Sequence, residues 1–310
     1  MRSTFFRAPA RRGLIVPATL TLTLLSACGG DANDPPPPVS GNTLVIDEDN
    51  AALVSQLALS QPDVFELTLM PLVLAAVDGA HAGCDAGTAD LELDADDRPI
   101  RATFSDCETD SLSGFDLLVD GEIRLEYEGS SDEIFTLSSD ATFEETIDTG
   151  TETLRQTTRL NGAFHGAPSS GALDGNYTDI NATIAVDSEV DEGTGDPQSL
   201  SITLAYGDFG IVSEPQGKDA ASLAVNGDIT FSELLDGSVS VVTDTLLVQE
   251  DGPDCPRAGN LSIAGAEGSS LALSFQSNDA VTATVNGQST DYDCEQFTDW
   301  LESQDPLDRR

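Results

Sequence analysis

Lysine is nearly missing from this chain: Lys218 stands alone after residue 27, and all basic residues number 13 against 55 acidic ones. A surface so poor in cations has no basic stripe with which to release counterions from nucleic acid, so DNA and RNA are not expected partners. It should also repel anionic lipid headgroups. Histidine is scarce as well. His81 ("DGAHAGC") and His165 ("NGAFHGAPSSG") are the two candidate histidine bases, both in Gly-rich, turn-like surroundings that suit solvated loops better than catalysis. No G-x-S-x-G elbow occurs, since "GSSLALS" lacks the closing glycine. No cysteine pair is spaced C-x-x-C, which leaves a zinc centre without ligands. The glycines follow Asp or Asn and do not open helices, so a phosphate-cradling loop is missing. Carboxylates are so abundant that no single pair singles out a glycosidase. These absences lead to the expectation of no catalytic residues and no cofactor.

What is present begins at the N-terminus. Arg2, Arg7, Arg11 and Arg12 precede an apolar run from Leu14 to Leu25, interrupted by Pro17 and short for a permanent bilayer span. The run ends in Leu25-Ser26-Ala27-Cys28. An aliphatic residue, two small ones and a cysteine in this place resemble the lipobox of bacterial lipoproteins. The resemblance implies that residues 1–27 are a signal peptide and that Cys28 becomes the first mature residue. Its thiol would take diacylglycerol, and further acylation such as palmitate would complete a membrane foothold that one chain alone does not hold. Gly29 and Gly30 follow in place of the Asp that retains family members on the inner membrane, so the implied address is the outer membrane, with the facing side open. Residues 28–45, with Pro35 to Pro38, read as an acidic tether stiffened by polyproline geometry.

Without residues 1–27 the chain keeps nine basic and 55 acidic residues, a net charge of −46 over 283 residues. High charge favours disorder, yet 39% of the chain is hydrophobic and alternates regularly, which argues for a folded domain over residues 46–304 with a tail at 305–310. One explanation of the acidity is a halophilic setting, where salt near 1 M shortens the Debye length to about 3 Å. Calcium is the sharper one. "DADDRP" offers Asp94, Asp96 and Asp97, and "DSEVDEGTGD" offers Asp187, Asp191 and Glu192. Neither has the Gly and terminal Glu of an EF-hand loop. Cys84, Cys107, Cys255 and Cys294 make an even set in an exported chain and read as two disulfides. Of three possible pairings the local one is expected, Cys84 with Cys107 and Cys255 with Cys294.

Residues 50–78 are the helical part. Asn50 is a candidate cap, Pro62 suits a first turn, Pro71 should kink or divide the second segment, and Asp78-Gly79 should end it. "PDVFELTLMPLVLAAV" is apolar nearly all round and is expected to be buried. From Thr88 the period becomes two: Ile123, Leu125 and Tyr127 alternate with charged residues, as do Leu271, Leu273 and Phe275 with small ones. Asp120-Gly121, Asn161-Gly162, Asp174-Gly175, Asn226-Gly227, Asp236-Gly237 and Asn286-Gly287 look like hairpin turns. The reading is mainly all-β: a long antiparallel meander of twelve or thirteen strands. It must curl into a partly open barrel or split into a two-sheet sandwich, with helices 50–78 packed on it. A short C-terminal helix, capped by Asp293, closes one end, and residues 190–199 form a mid-chain loop between two possible halves.

The leading expectation is a lipid-anchored envelope protein that binds or scaffolds without catalysis, its protein or small-molecule partner open. The alternative is a carrier of a hydrophobic ligand, similar in architecture only to half-barrel periplasmic lipoprotein carriers. That reading needs an apolar cavity lined by residues such as Phe65, Leu67, Leu69 and Leu74. A calcium-dependent adhesion module or a hydrolase ranks third.

Overall fold

The computed structural model describes residues 43–110, 115–129, 134–148, 153–167, 175–191, 198–216, 220–233, 235–250, 255–277 and 279–303. Cys28, most of the tether and Glu192 lie outside them.

Thirteen strands form one antiparallel sheet in strict sequence order. They are β1 (Ala86–Leu93), β2 (Pro99–Asp110), β3 (Asp116–Tyr127), β4 (Phe135–Asp148), β5 (Thr153–Ala167), β6 (Asn176–Asp191), β7 (Gln198–Pro215), β8 (Ala220–Ser232), β9 (Gly237–Glu250), β10 (Ala258–Ala264), β11 (Ser270–Phe275), β12 (Ala280–Val285) and β13 (Gln288–Asp293). The sheet does not close. β1 and β13 are its edges, and each carries carboxylates (Asp90 and Glu92; Asp291 and Asp293) that discourage pairing with another chain. The single sheet settles the choice left open by the sequence against a sandwich. The period-two faces fall as read: Ile123, Leu125, Leu271, Leu273 and Phe275 are buried. The loop near 190–199 joins β6 to β7, which pair directly across it from Val190 and Gln198 onward, so the ladder runs on through mid-chain.

The helices line the inner face. α1 (Ala51–Leu59) is followed by a continuous helical stretch made of the single turn α2 (Gln61–Asp63), a π-helical segment (Val64–Leu69) and α3 (Met70–Ala82). Laid flat, thirteen strands at about 4.8 Å spacing would span roughly 60 Å. A helix of the 22 residues Gln61–Ala82 reaches only about 33 Å. Nevertheless α3 packs on β1 to β3, Phe65 packs on residues of β5, β6 and β7, and Ile46 is hydrogen-bonded to Ser269 and Asn286 near the other edge. The sheet therefore curls around the helical path.

Pro71 acts differently from expectation. It lacks an N–H, and its ring would press on the carbonyl of residue 67 in a regular helix. The backbone answers by widening, with the Met70 N–H donating to the Phe65 carbonyl five residues back. The helix is thus neither kinked apart at Pro71 nor ended at Gly79; it runs to Ala82 and stops at Gly83, φ 91°. Gly79 serves close packing instead, because a Cβ there would meet Thr109 Oγ1 at 2.5 Å. Asn50 makes no side-chain cap on α1. Its amide and that of Asp49 are held by Asp47 Oδ1, and its own Nδ2 donates to the Val45 carbonyl.

The Asx-Gly pairs correct the turn assignment. Asn286-Gly287 is a tight hairpin turn with both φ positive (48° and 82°), joining Val285 to its partner Gln288. Asp236-Gly237 leads into β9. Asp120-Gly121, Asn161-Gly162 and Asn226-Gly227, however, lie inside β3, β5 and β8. Their glycines keep φ at 106°, 135° and 124° and are themselves paired in the ladders, next to bulges whose extra residues fall on β2, β6 and β7, where Asp106, Asp179 and Asp208 have φ 49°, 51° and 47°. A bulge bends its strand and increases local twist, so a row of them across the sheet produces the curl. Asp174 lies outside the described residues.

Both disulfides pair locally, as expected: Cys84–Cys107 with Cα atoms 5.3 Å apart and Cys255–Cys294 with Cα atoms 6.0 Å apart. One ties the end of α3 to β2. The other ties the start of β10 to α4 (Cys294–Glu302), whose Asp293 and Gln296 form a reciprocal capping box. Phe297 of α4 packs edge-on to Phe275, ring centroids 5.7 Å apart. Closing a 39-residue separation should restrict the unfolded chain by about 4 kcal/mol. We expect C255S/C294S to lower the melting temperature by about 8 °C. A thermal melt within about 1 °C of wild type would show that α4 is held by its packing alone.

Candidate functional site

The inner face of the sheet is filled. Phe65, fully buried in the π-helical turn, sits among Phe164, Tyr177 and Tyr206 at centroid distances of 5.6, 5.4 and 5.5 Å. Leu69, Met70, Val73 and Ala76 continue the contact along the helix. The Tyr206 hydroxyl donates to Gln61 Oε1 at 2.6 Å, which satisfies two buried polar groups at once. Burial holds the Tyr206 phenol protonated far above its ordinary range. The Tyr177 phenol is held likewise, first by burial and then by the Glu66 carboxyl beside it. Both phenols are thus held neutral among the aromatic rings around Phe65.

The outer side of the same helix corrects the expectation of complete burial. Leu67 is 58% exposed and Leu74 43% exposed, and Asp63, Asp78 and His81 are exposed with them. The sheet wraps the helix on one side only. Of the four residues expected to line an apolar cavity, Phe65 and Leu69 are packed solidly, whereas Leu67 and Leu74 face solvent.

An acidic cleft lies at the ends of β2, β3 and β4, where the carboxylates of Glu108, Asp110, Asp116 and Glu144 share the sheet face opposite to the one on which α3 packs. Gly79 packs on Thr109, and Thr109 lines a cavity of about 310 Å³ together with Asp85, Glu108, Asp110, Asp116, Leu117, Leu118, Glu144 and Thr146. Register explains the crowding. Glu108 stands opposite Leu118, and Leu118 opposite Glu144; Asp110 stands opposite Asp116, and Asp116 opposite Thr146. Like charges directly across a ladder repel one another. Among the described residues that line this cleft none is cationic, so its potential favours a positively charged guest.

Of the residues singled out for calcium, Asp94 and Asp187 are each paired with an arginine, and Glu192 lies outside the described residues. Asp94 closes the β1–β2 turn: its Oδ1 accepts the Asp96 and Arg98 amides, both at 2.9 Å, and its Oδ2 accepts Arg98 Nε at 2.7 Å. Those bonds to Arg98, backbone first and side chain second, hold the Asp94 carboxyl below its ordinary range. Asp97 supplies the positive φ of the turn, 62°. The Arg98 guanidinium also lies 4.7 Å over the Tyr127 ring. Asp187 pairs with Arg159 at 3.1 Å on β6, as does Glu189 with Arg155 at 3.8 Å. β3, β4 and β5 stand between the two sets. Among the described residues no group of three or more His, Cys, Asp and Glu is arranged to hold a metal ion.

The histidines are not where the turn-like sequence placed them. His81 is in the last turn of α3, and His165 lies within β5, its Nδ1 3.5 Å from Thr136 Oγ1 and 4.0 Å from Glu128 Oε1. At 3.5 Å the Thr136 contact is a weak one. The helix's exposed stripe and the acidic cleft were both missed in the sequence. Only the register of β2, β3 and β4 would have revealed the cleft. No family model, characterised protein or solved structure matches the chain.

Proposed function

We propose that the protein is a lipid-anchored module of the cell envelope that works by binding or scaffolding and not by catalysis. The anchor rests on Leu25-Ser26-Ala27-Cys28 and the basic, apolar leader before it. Gly29-Gly30 supports an outer-membrane address, and the proline-rich tether would hold the domain clear of the bilayer. The observation that carries the binding reading is the packing of Phe65 and Leu69 against β5 to β7: the volume in which a carrier would hold an apolar ligand is occupied by the protein's own helix. The acid-coated outer face suits a module that stays soluble and apart from headgroups.

Native mass spectrometry of protein released gently from membranes tests this. The expected species begins at Cys28, carries acyl chains and two disulfides, and holds no further non-covalent mass. A retained apolar molecule would transfer the reading to a carrier, and a free thiol at Cys28 would remove the anchor.

A further inference from the structure

The segment that leads into the domain is fixed at one end of the sheet. Thr43 bridges Ser238 at the start of β9, and the Leu44 amide donates to the Ser238 carbonyl. The Leu44 carbonyl accepts from the Ala266 amide, and the Ile46 carbonyl accepts from Asn286 Nδ2. Ser238 follows the β8–β9 connection, Ala266 lies in the β10–β11 connection and Asn286 in the β12–β13 turn. Successive strands of this meander run in opposite directions, so every connection from an even-numbered strand to an odd-numbered one lies at the same end. The β2–β3, β4–β5 and β6–β7 connections are therefore there too. The other end carries the β1–β2 turn with Arg98 and the Cys255–Cys294 disulfide at which α4 begins.

Reach and charge both bear on how such a domain stands. Cys28 precedes Thr43 by 15 residues, which span at most about 50 Å when fully extended. β5 and β6, of 15 and 16 residues, are themselves about 50 Å long at strand rise. Bringing the far end to a bilayer that holds Cys28 would need the connecting chain taut along the whole height of the sheet, with its conformational freedom lost. The entry end exposes Asp47, Asp110, Asp116, Asp191, Asp236 and Glu267. The arginines nearest to it, Arg155 and Arg159, pair with Glu189 and Asp187.

We propose that the anchored domain stands end-on, with its even-to-odd connections toward the bilayer and the β1–β2 turn and the start of α4 pointing away from it. Repulsion between the carboxylates of the entry end and anionic headgroups holds that end off the surface, and salt weakens the effect. The end pointing away is the one that stays open to a partner of the binding module. This posture rests on the anchor at Cys28 proposed above.

The test uses the exported full-length protein in nanodiscs whose lipids carry a headgroup acceptor dye. Asp96→Cys and Asp116→Cys, both exposed, each receive a maleimide donor, since the two disulfides and the acylated Cys28 leave the introduced thiol free to react. The twelve residues of β2 separate the two sites by about 40 Å, so transfer from position 116 should exceed that from position 96 roughly threefold. Glu48→Cys at the entry end and Glu295→Cys in α4 should repeat that ranking. Circular dichroism checks that each variant keeps the wild-type spectrum. Exchanging phosphatidylcholine for an equimolar mixture with phosphatidylglycerol should lower transfer from position 116, and about 1 M salt should restore it. Equal transfer from the two ends, or more from position 96, would overturn the end-on posture. Transfer from position 116 that ignores lipid charge would overturn the electrostatic stand-off. Protein that stays in the aqueous fraction, with no transfer from any site, would instead sink the anchor reading beneath the posture.

Discussion

Replacing Phe65 with alanine should cost about 3–5 kcal/mol, the loss expected for a fully buried aromatic ring whose surroundings cannot collapse. Three aromatic rings from three strands converge on Phe65, and each belongs to a long ladder that cannot move inward independently of its neighbours. The void would therefore persist. A fall in melting temperature of about 10 °C is the expected reading. Leu67→Ala, two residues along the same helix, should change stability by about 0.5 kcal/mol or less, because Leu67 is 58% exposed. The comparison isolates packing from helix propensity, since both residues are replaced by the same strong helix former. Equal melting temperatures for the two variants would mean that the helix does not plug the curled sheet, and the argument against an internal ligand would go with it.

The second large effect is expected at Gly227. Its φ of 124° is disfavoured for any L side chain, and a Cβ there would fall 2.5 Å from the Cα of Phe209, a backbone atom of the adjacent β7. Backbone strain of about 1–3 kcal/mol adds to overpacking of similar size, giving roughly 3–5 kcal/mol for Gly227→Ala. Gly287→Ala provides the control. It also has a positive φ, 82°, but nothing lies within 4 Å of the added Cβ. Its cost should be about 1 kcal/mol, from conformation alone. Urea denaturation of both variants reads the difference directly. Should Gly227→Ala prove no worse than Gly287→Ala, the backbones of β7 and β8 would not approach as closely at Gly227 as described.

These two positions also mark where the sequence was readable and where it was not. Alternation in "EIRLEYE" and "SLALSF" gave strand identity and facing, because period two has one structural meaning when it is sustained. The even cysteine count and short separations gave the disulfides, and Asp293 was legible as the N-cap of α4, to which the structure adds the reciprocal bond of Gln296. Asn226-Gly227 reads as a hairpin turn in the sequence because Asx-Gly accepts positive φ, and only the pairing with β7 and β9 shows that it lies inside a strand. The outer stripe of the helix was hidden for a related reason. "PDVFELTLMPLVLAAV" is apolar on every side, so its composition does not tell which side the sheet covers. The cleft was hidden by abundance, since Glu108, Asp110, Asp116 and Glu144 look like any other carboxylates until β2, β3 and β4 are set in register. The carboxylates chosen from loop-like sequence at Asp94 and Asp187 proved to be partners of Arg98 and Arg159.

Strict neighbour-to-neighbour strand order has a kinetic meaning for a chain that arrives from its N-terminus. Each ladder needs only the strand just delivered, so assembly can zip forward hairpin by hairpin with small loop-closure cost at every step. The helix emerges first yet finds its aromatic partners only when β5 to β7 have appeared, and until then its greasy side is a liability for a chaperone to shield. The last latch joins the chain's two ends: the Ile46 amide donates to Ser269 Oγ across 223 residues, and its carbonyl accepts from Asn286 across 240. A chain truncated before β12 would keep the bonds of Leu44 and Ile46 to Ser238, Ala266 and Ser269 but lose the one from Asn286, so the final hairpin completes the latch.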